Sequence, residues 1–297
     1  MNAVAFAPGH ISGFFEPIYH NEDLTRTGSR GAGINITLGA ISRVYIENST
    51  QQNIEVYFNN KKSNALVTKL ALKYLLGEKP FHIVVKTRFD LPMSQGFGMS
   101  AAGALSATYA LAKLLGISKN DAMRASHYAE VQLKTGLGDV IASCFGGIEI
   151  RKTAGLPPWG VIEHIPGKFD IVLCIVGKKV DTKKVLSDSS RIGKIIDYGK
   201  YCTKKILEKP SVENLFKLSQ VFTEKTDLAD KQVLDAIEAA NQYGKASMCM
   251  LGNSIFAMGE TEKLYRVLSS FGKVFVCSVD ELGARVIEGK DSKSFFK

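Results

Sequence analysis

Along its first third the chain alternates apolar and polar positions with the period of two expected of half-buried strands. Val4–Phe6, Gly33–Leu38, Ser42–Ile46 and Ile54–Phe58 follow that pattern between glycine-rich breaks and predict an antiparallel β start. The period lengthens to that of a helix at Asn64–Leu76, returns to a strand at His82–Thr87, and lengthens again at Ala101–Leu115, where Gly116 is a stop signal. Ser118, with Asp121 three residues on, reads as the N-cap of a helix that runs to about Leu133. A short helix at Val140–Phe145 ends at Gly146-Gly147, and a strand at Ile148–Lys152 follows. Ala154–Trp159, with Pro157-Pro158, reads as a linker. Beyond it come a strand (Asp170–Val176), three helical stretches (about Ser190–Leu207, Val212–Glu224 and Lys231–Tyr243) and a hairpin-like pair around Gly252-Asn253. A further helix and the strand Lys273–Val279 complete the series. The order predicts two α+β domains, 1–153 and 160–297, which suits a chain of 297 residues.

Composition narrows the function classes. Hydrophobic residues at 45% and charged residues at 23% are those of a folded protein with a true core. The net charge of +9 is carried by lysines scattered in pairs such as Lys61/Lys62 and Lys183/Lys184, with no long basic run, so the expectation is no nucleic-acid partner. Five cysteines stand singly in apolar stretches without metal-ligand spacing and read as buried thiols in a reducing compartment. No apolar run approaches the roughly twenty residues of a membrane span, and the N-terminus lacks a leader pattern. A cytoplasmic protein with no membrane partner is expected.

The most informative stretch is the loop from Pro92 to Gly103, where Gly96, Phe97, Gly98, Met99, Ser100 and Ala101 lead into a helix of small residues. Glycines before such a helix let backbone N–H groups approach a phosphate, and the helix dipole favours an anion there. A Walker A loop is excluded because no lysine occupies its place. Gly96-x-Gly98-x-x-Ala101 matches a dinucleotide fingerprint superficially, but eight residues separate the preceding strand from the first glycine. An ordinary turn also remains open.

These residues resemble the GHMP kinase superfamily. Ala7-Pro8-Gly9-His10 is similar to its first motif, Pro92-x-x-x-Gly96-Phe97-Gly98-Met99-Ser100-Ala101-Ala102 to its second, and Met250–Ser254 more weakly to its third. The chain departs at His10, where mevalonate-type members carry lysine, at Met99, and in the missing glycines of the third motif. Within the superfamily, Ala7–Phe15, Gly28–Ile36 and Thr135–Asp139 are most similar to the archaeal pantoate kinases. The resemblance implies a two-domain α+β fold, with an N-terminal mixed β/α domain holding the glycine-loop phosphate site and a C-terminal ferredoxin-like α/β domain. It also implies ATP-dependent phosphorylation of a small hydroxy acid, (R)-pantoate being the first expectation. A homoserine or mevalonate-type acceptor, or a non-catalytic nucleotide- or RNA-binding relative, are the alternatives.

By the same resemblance, ATP lies on the loop from Pro92 to Ala101, Ser100 and Glu130 hold Mg²⁺, and Asp139 accepts the proton of the acceptor hydroxyl. Each also has an ordinary explanation: Ser100 a first-turn hydroxyl, Glu130 a solvated helix face, Asp139 the N-cap of the short helix. Gly136 and Gly138 allow the chain to reverse and bring the two carboxylates together. An acceptor carboxylate calls for a cationic or hydrogen-bonding partner. Arg151 is the first candidate, His127, which shares the helix face of Glu130, the second, and Thr182 the third. A homodimer is a candidate assembly.

Overall fold

The computed structural model describes residues 1–180 and 189–288. The alternation of the first fifty residues belongs to two long strands, β1 (Asn2–Ile18) and β2 (Gly28–Asn48), paired antiparallel. The glycine-rich stretches that read as breaks lie inside the ladder. They are glycine because buried side chains cross there: a Cβ at Gly33 would collide with His10 Nε2 and come within 2.9 Å of Glu149 Oε1. Register shifts at Pro8/Gly9 and Ser12/Phe14 bend the hairpin. On one side of the bend β2 pairs with β5 (Phe81–Phe89), and on the other with β6 (Ile148–Thr153).

The β start is not wholly antiparallel. β3 (Asn53–Phe58) runs parallel to β5. β4 (Lys61–Ser63) and α1 (Leu66–Leu76) lie between them and supply the crossover that a parallel pair needs. α2 (Met99–Leu115) packs on β1 and β2, with α1 and α3 (Lys119–Leu133) against it. Its alanines at 101, 102, 104, 107 and 110 are buried, and their small volume lets layers approach from both sides. Ser118 Oγ accepts the N–H of Asp121 at 3.1 Å, the cap expected of the sequence. α4 (Asp139–Phe145) then leads into β6.

Among the described residues the first sheet has eight strands, ordered β12-β1-β2-β5-β3-β4, with β6 on β2 and β7 on β6. β7 (Val161–Ile165) and β12 (Arg285–Ile287) follow the predicted linker yet join this sheet. The second sheet is antiparallel, ordered β11-β8-β10-β9, from β8 (Asp170–Ile175), β9 (Gly244–Met248), β10 (Ser254–Gly259) and β11 (Lys273–Ser278). α5 (Ser189–Glu208), α6 (Val212–Thr226) and α7 (Lys231–Asn241) separate β8 from β9, and α8 (Thr261–Leu268) separates β10 from β11. This is the ferredoxin-like βαββαβ order with additional helices in the first crossover.

One apolar core runs through both sheets. Phe15 of β1 meets Phe222 of α6 at 5.7 Å between ring centroids, and Phe216 meets Phe256 of β10 at 4.9 Å. Burying each such ring contributes about 2–3 kcal/mol. The β1/β2 hairpin is thereby gripped from the second lobe as well, which fixes the wall of the cleft described next. Among the described residues no helix is long and apolar enough to cross a membrane.

Candidate active site

A cleft of about 610 Å³ opens where the glycine loop, the β1/β2 hairpin and the turn after α3 converge. The loop gets its shape from backbone conformations that side chains resist. Ser94, Gly96 and Gly98 have φ of 64°, 77° and 64°, and a Cβ at Gly96 would come within 2.7 Å of the carbonyl oxygen of Cys249. Phe97 is buried beneath the loop, while its carbonyl accepts the N–H of His10 at 3.0 Å. From the other lobe, Ser254 Oγ donates to the carbonyl of Gln95, so the weak third motif serves as the loop's support. Met99, Ser100 and Ala101, which open α2 and whose N–H groups have no partner within the helix, line the cleft.

Ser100 Oγ donates to Glu130 Oε1 at 2.5 Å. Burial pushes the Glu130 carboxyl up to about 7, against the lowering effect of the Ser100 hydrogen bond, and the charge of Asp139 adds to the rise. α3 ends at Lys134 in the left-handed region, with φ of 55°, and the chain doubles back through Thr135–Gly138 into Asp139. Gly136 sits between the two carboxylates. A Cβ there would strike Glu130 Oε2 and lie 3.3 Å from Asp139 Oδ2. The turn therefore brings together the two acids that the sequence set nine positions apart.

Hard oxygen donors from Ser100 and Glu130 suit Mg²⁺, and a cation beside a carboxylate that is half-protonated near neutrality would ionise it. Among the described residues no group of three or more His, Cys, Asp and Glu side chains is placed to hold a metal. Such an ion would complete its shell from phosphate and water.

The wall around Asp139 carries residues that the sequence alone did not place there. His10 is fully buried, with Nδ1 at 2.7 Å from Asp139 Oδ1 and Nε2 at 2.8 Å from Glu149 Oε1. Burial alone would lower its imidazole, but the hydrogen bonds and charges of the two carboxylates raise it above the ordinary value. Burial alone would raise Asp139, but His10 and the charge of Arg151 hold it below the usual carboxylate range. Ser12 and Ser29 line the cleft beside Asp139, and Lys179 reaches it from the second lobe. A signal for the buried pair does exist in the sequence. Glu149 and Arg151 alternate with Ile148 and Ile150, and the ladder sets Gly33 and Gly31 opposite them.

The predicted site residues divide accordingly. Gly96–Ala101, Glu130 and Asp139 line one cleft, but Pro92 lies just outside it, the lining beginning at Met93. His127 does not face the cleft. It is buried, with Nε2 at 3.0 Å from the carbonyls of Leu24 and Thr27, and burial lowers its imidazole. One helical turn separates it from Glu130, enough to move it from the cleft to the loop beneath. Arg151 is 1% exposed and stands one layer behind the wall. It donates through Nη1 to Glu149 and through Nη2 to Ser12 Oγ at 3.3 Å, while its Nε has no partner and points toward Gly138. Thr182 lies outside the described residues.

Residues 64–147 match the model of the GHMP kinases N-terminal domain. The pantoate kinase of Methanocaldococcus jannaschii is 34% identical over 276 residues, covering 92% of this chain and 99% of the relative. That of Thermococcus kodakarensis is 36% identical over 279 residues, covering 89% and 91% respectively. A solved structure described as a phosphotransferase related to the coenzyme A biosynthesis pathway superposes with a TM-score of 0.88 at 30% identity, over 97% of this chain and 99% of that one. With full-length relatives and the same two-lobed fold around a glycine loop, the chain belongs to the pantoate kinase family of the GHMP kinases.

Proposed function

We propose that this protein transfers the γ-phosphoryl group of ATP to the hydroxyl of (R)-pantoate, giving 4-phosphopantoate and ADP in coenzyme A synthesis. The observation that carries the chemistry is the meeting of Ser100, Glu130 and Asp139 around Gly136 at the start of α2. The full-length relatives, both pantoate kinases, support the acceptor.

In this reading the phosphates lie against the N–H groups at the head of α2, where no side chain competes for them. The adenine occupies the apolar end of the cleft, near Phe58 and Phe89, which pack edge to face at 4.9 Å. Ser100 and Glu130 hold Mg²⁺, which when bound neutralises charge on the transferring phosphates. The acceptor oxygen forms its bond to the γ-phosphorus as the bond to the β-phosphate oxygen breaks, and its proton passes to Asp139 Oδ2. Ser12 and Ser29 receive the acceptor carboxylate, with the buried Arg151 donating to Ser12 Oγ from behind and adding its charge. Five free cysteines suit work in the reducing cytoplasm.

ADP release measured over pantoate, mevalonate, homoserine and shikimate tests the assignment. Turnover of pantoate well above the others is expected. Preference for another alcohol would replace the acceptor, and no turnover by folded protein with Mg-ATP would remove the kinase reading.

A further inference from the structure

His10 stands in the middle of β1 between carboxylates supplied by two other elements, Asp139 at the head of α4 and Glu149 on β6. A neutral imidazole has one N–H and can donate to one carboxylate only; two ionised neighbours require both nitrogens to donate. Arg151 Nη1 donates to the same Glu149 oxygen, so two anions and two cations form a neutral set, the condition under which charges are tolerated in a protein interior. Arg151 and Glu149 are sealed from solvent along with His10, whereas the Asp139 side chain is 29% exposed. The set therefore has one face on the cleft.

Two further contacts give that face a direction. Asp139 Oδ1 is taken by the ring, and Oδ2 lies on the Gly136 side, toward Glu130. The backbone N–H of His10 holds the carbonyl of Phe97 in the glycine loop. The residue that grips the acceptor wall is thus also tied to the phosphate loop.

We propose that His10 is a positioning residue for phosphoryl transfer: held as an imidazolium between the carboxylates of Asp139 and Glu149, it clamps Oδ1 of Asp139 so that Oδ2 alone meets the acceptor hydroxyl. This rests on the phosphoryl-transfer reading above. The hydroxyl proton goes to Oδ2, and His10 keeps both of its own protons throughout. The charged groups around the ring are Asp139 from α4 and Glu149 and Arg151 from β6, with Glu130 of α3 beyond Asp139.

The charge state is read directly from the whole protein labelled with ¹⁵N-histidine. One of the five imidazoles should keep the signature of a doubly protonated ring at pH 8, and its signal should vanish in His10→Gln. Neutral signatures from all five at that pH would overturn the proposal. Steady-state kinetics then separate positioning from packing. His10→Gln should lose about 100-fold in kcat with KM for ATP changed by less than about 3-fold, since a misplaced reacting group costs on that order. His10→Lys, which restores the cation, should recover at least about 10-fold of that loss. Equal losses in the two folded variants, or near-wild-type kcat in His10→Gln, would overturn it. If His10→Gln does not fold, the wild-type ring signal decides. Should the wild type prefer another hydroxy acid, the pantoate reading falls and the same variants are scored with that acceptor. Should nothing be turned over by folded protein, the kinase reading falls and the positioning role falls with it, whereas a neutral ring beside normal turnover overturns the inference alone.

Discussion

In the proposed reading the phosphate end of the cleft recognises through backbone, held open by residues that lack or turn away a side chain, whereas the acceptor end rests on charged side chains neutralised in pairs. The first end is specified by conformation: φ of 77° at Gly96 and 64° at Gly98, with carbonyls of the other lobe pressed against the loop. The second is specified by chemistry, through His10, Asp139, Glu149 and Arg151. The two ends should therefore fail in different ways, one when a Cβ is added and the other when a charge is changed.

The largest effect is expected from Asp139→Asn, which keeps the shape and removes the proposed base. A fall in kcat of about 10³-fold, with KM for ATP nearly unchanged, is the expected outcome of removing a positioned proton acceptor. A comparable rise in KM for ATP instead would merge the two ends into one. Arg151→Lys keeps the charge but loses the planar fork, and should raise KM for the acceptor by about 10- to 100-fold, with ATP binding spared. At the other end, Gly96→Val imposes a side chain on a left-handed residue facing the Cys249 carbonyl. It should cost about 1–3 kcal/mol in unfolding free energy and raise KM for ATP rather than for the acceptor.

The smallest effect sharpens the boundary between the two ends, where Glu130 lies. Its carboxyl sits near 7 when folded but at about 4.3 in an unfolded chain. Between those values the folded protein holds a proton that the unfolded chain has released. That contribution to stability is full below the unfolded value and is lost as pH rises through about 7. In metal-free protein, Glu130→Gln should gain of order 1–3 kcal/mol over wild type at pH 8 and far less at pH 5. Urea titrations at the two pH values measure the difference, and a pH-independent difference would count against the buried carboxyl.

Much of the phosphate end is legible in the sequence because it is local. The glycines, the small residues of α2, the Gly116 stop and the Ser118 cap all lie within one stretch, and the helix ends are closed by groups within it, although the loop itself leans on Cys249 and Ser254 of the other lobe. Asp139 is legible for the same reason, through the Thr135–Gly138 turn. The acceptor end depends on pairs far apart. His10 reaches Asp139 and Glu149 across 129 and 139 positions, and nothing local to any of them announces the contact. β1 and β2 read as several short strands because glycine usually breaks a strand; here it makes room for crossing side chains. His127 misleads because spacing reports a shared helix face but not the step along the axis that carries one residue into the cleft and the other onto a loop.

The pairing of β12 with β1, Val4 opposite Ile287 and Phe6 opposite Arg285, also sets a schedule for biosynthesis. The strand bearing His10 is made well before its partner, and its outer edge over Val4–Phe6 stays open until Arg285–Ile287 have been translated. Gln95 and Ser254 keep the same timetable for the glycine loop. A nascent chain therefore carries an unpaired strand edge while the intervening residues are made, the kind of surface that seeks a neighbour's edge or a chaperone. The glycine loop gains its Ser254 support only as the second sheet is made, and β1 its β12 neighbour only after it.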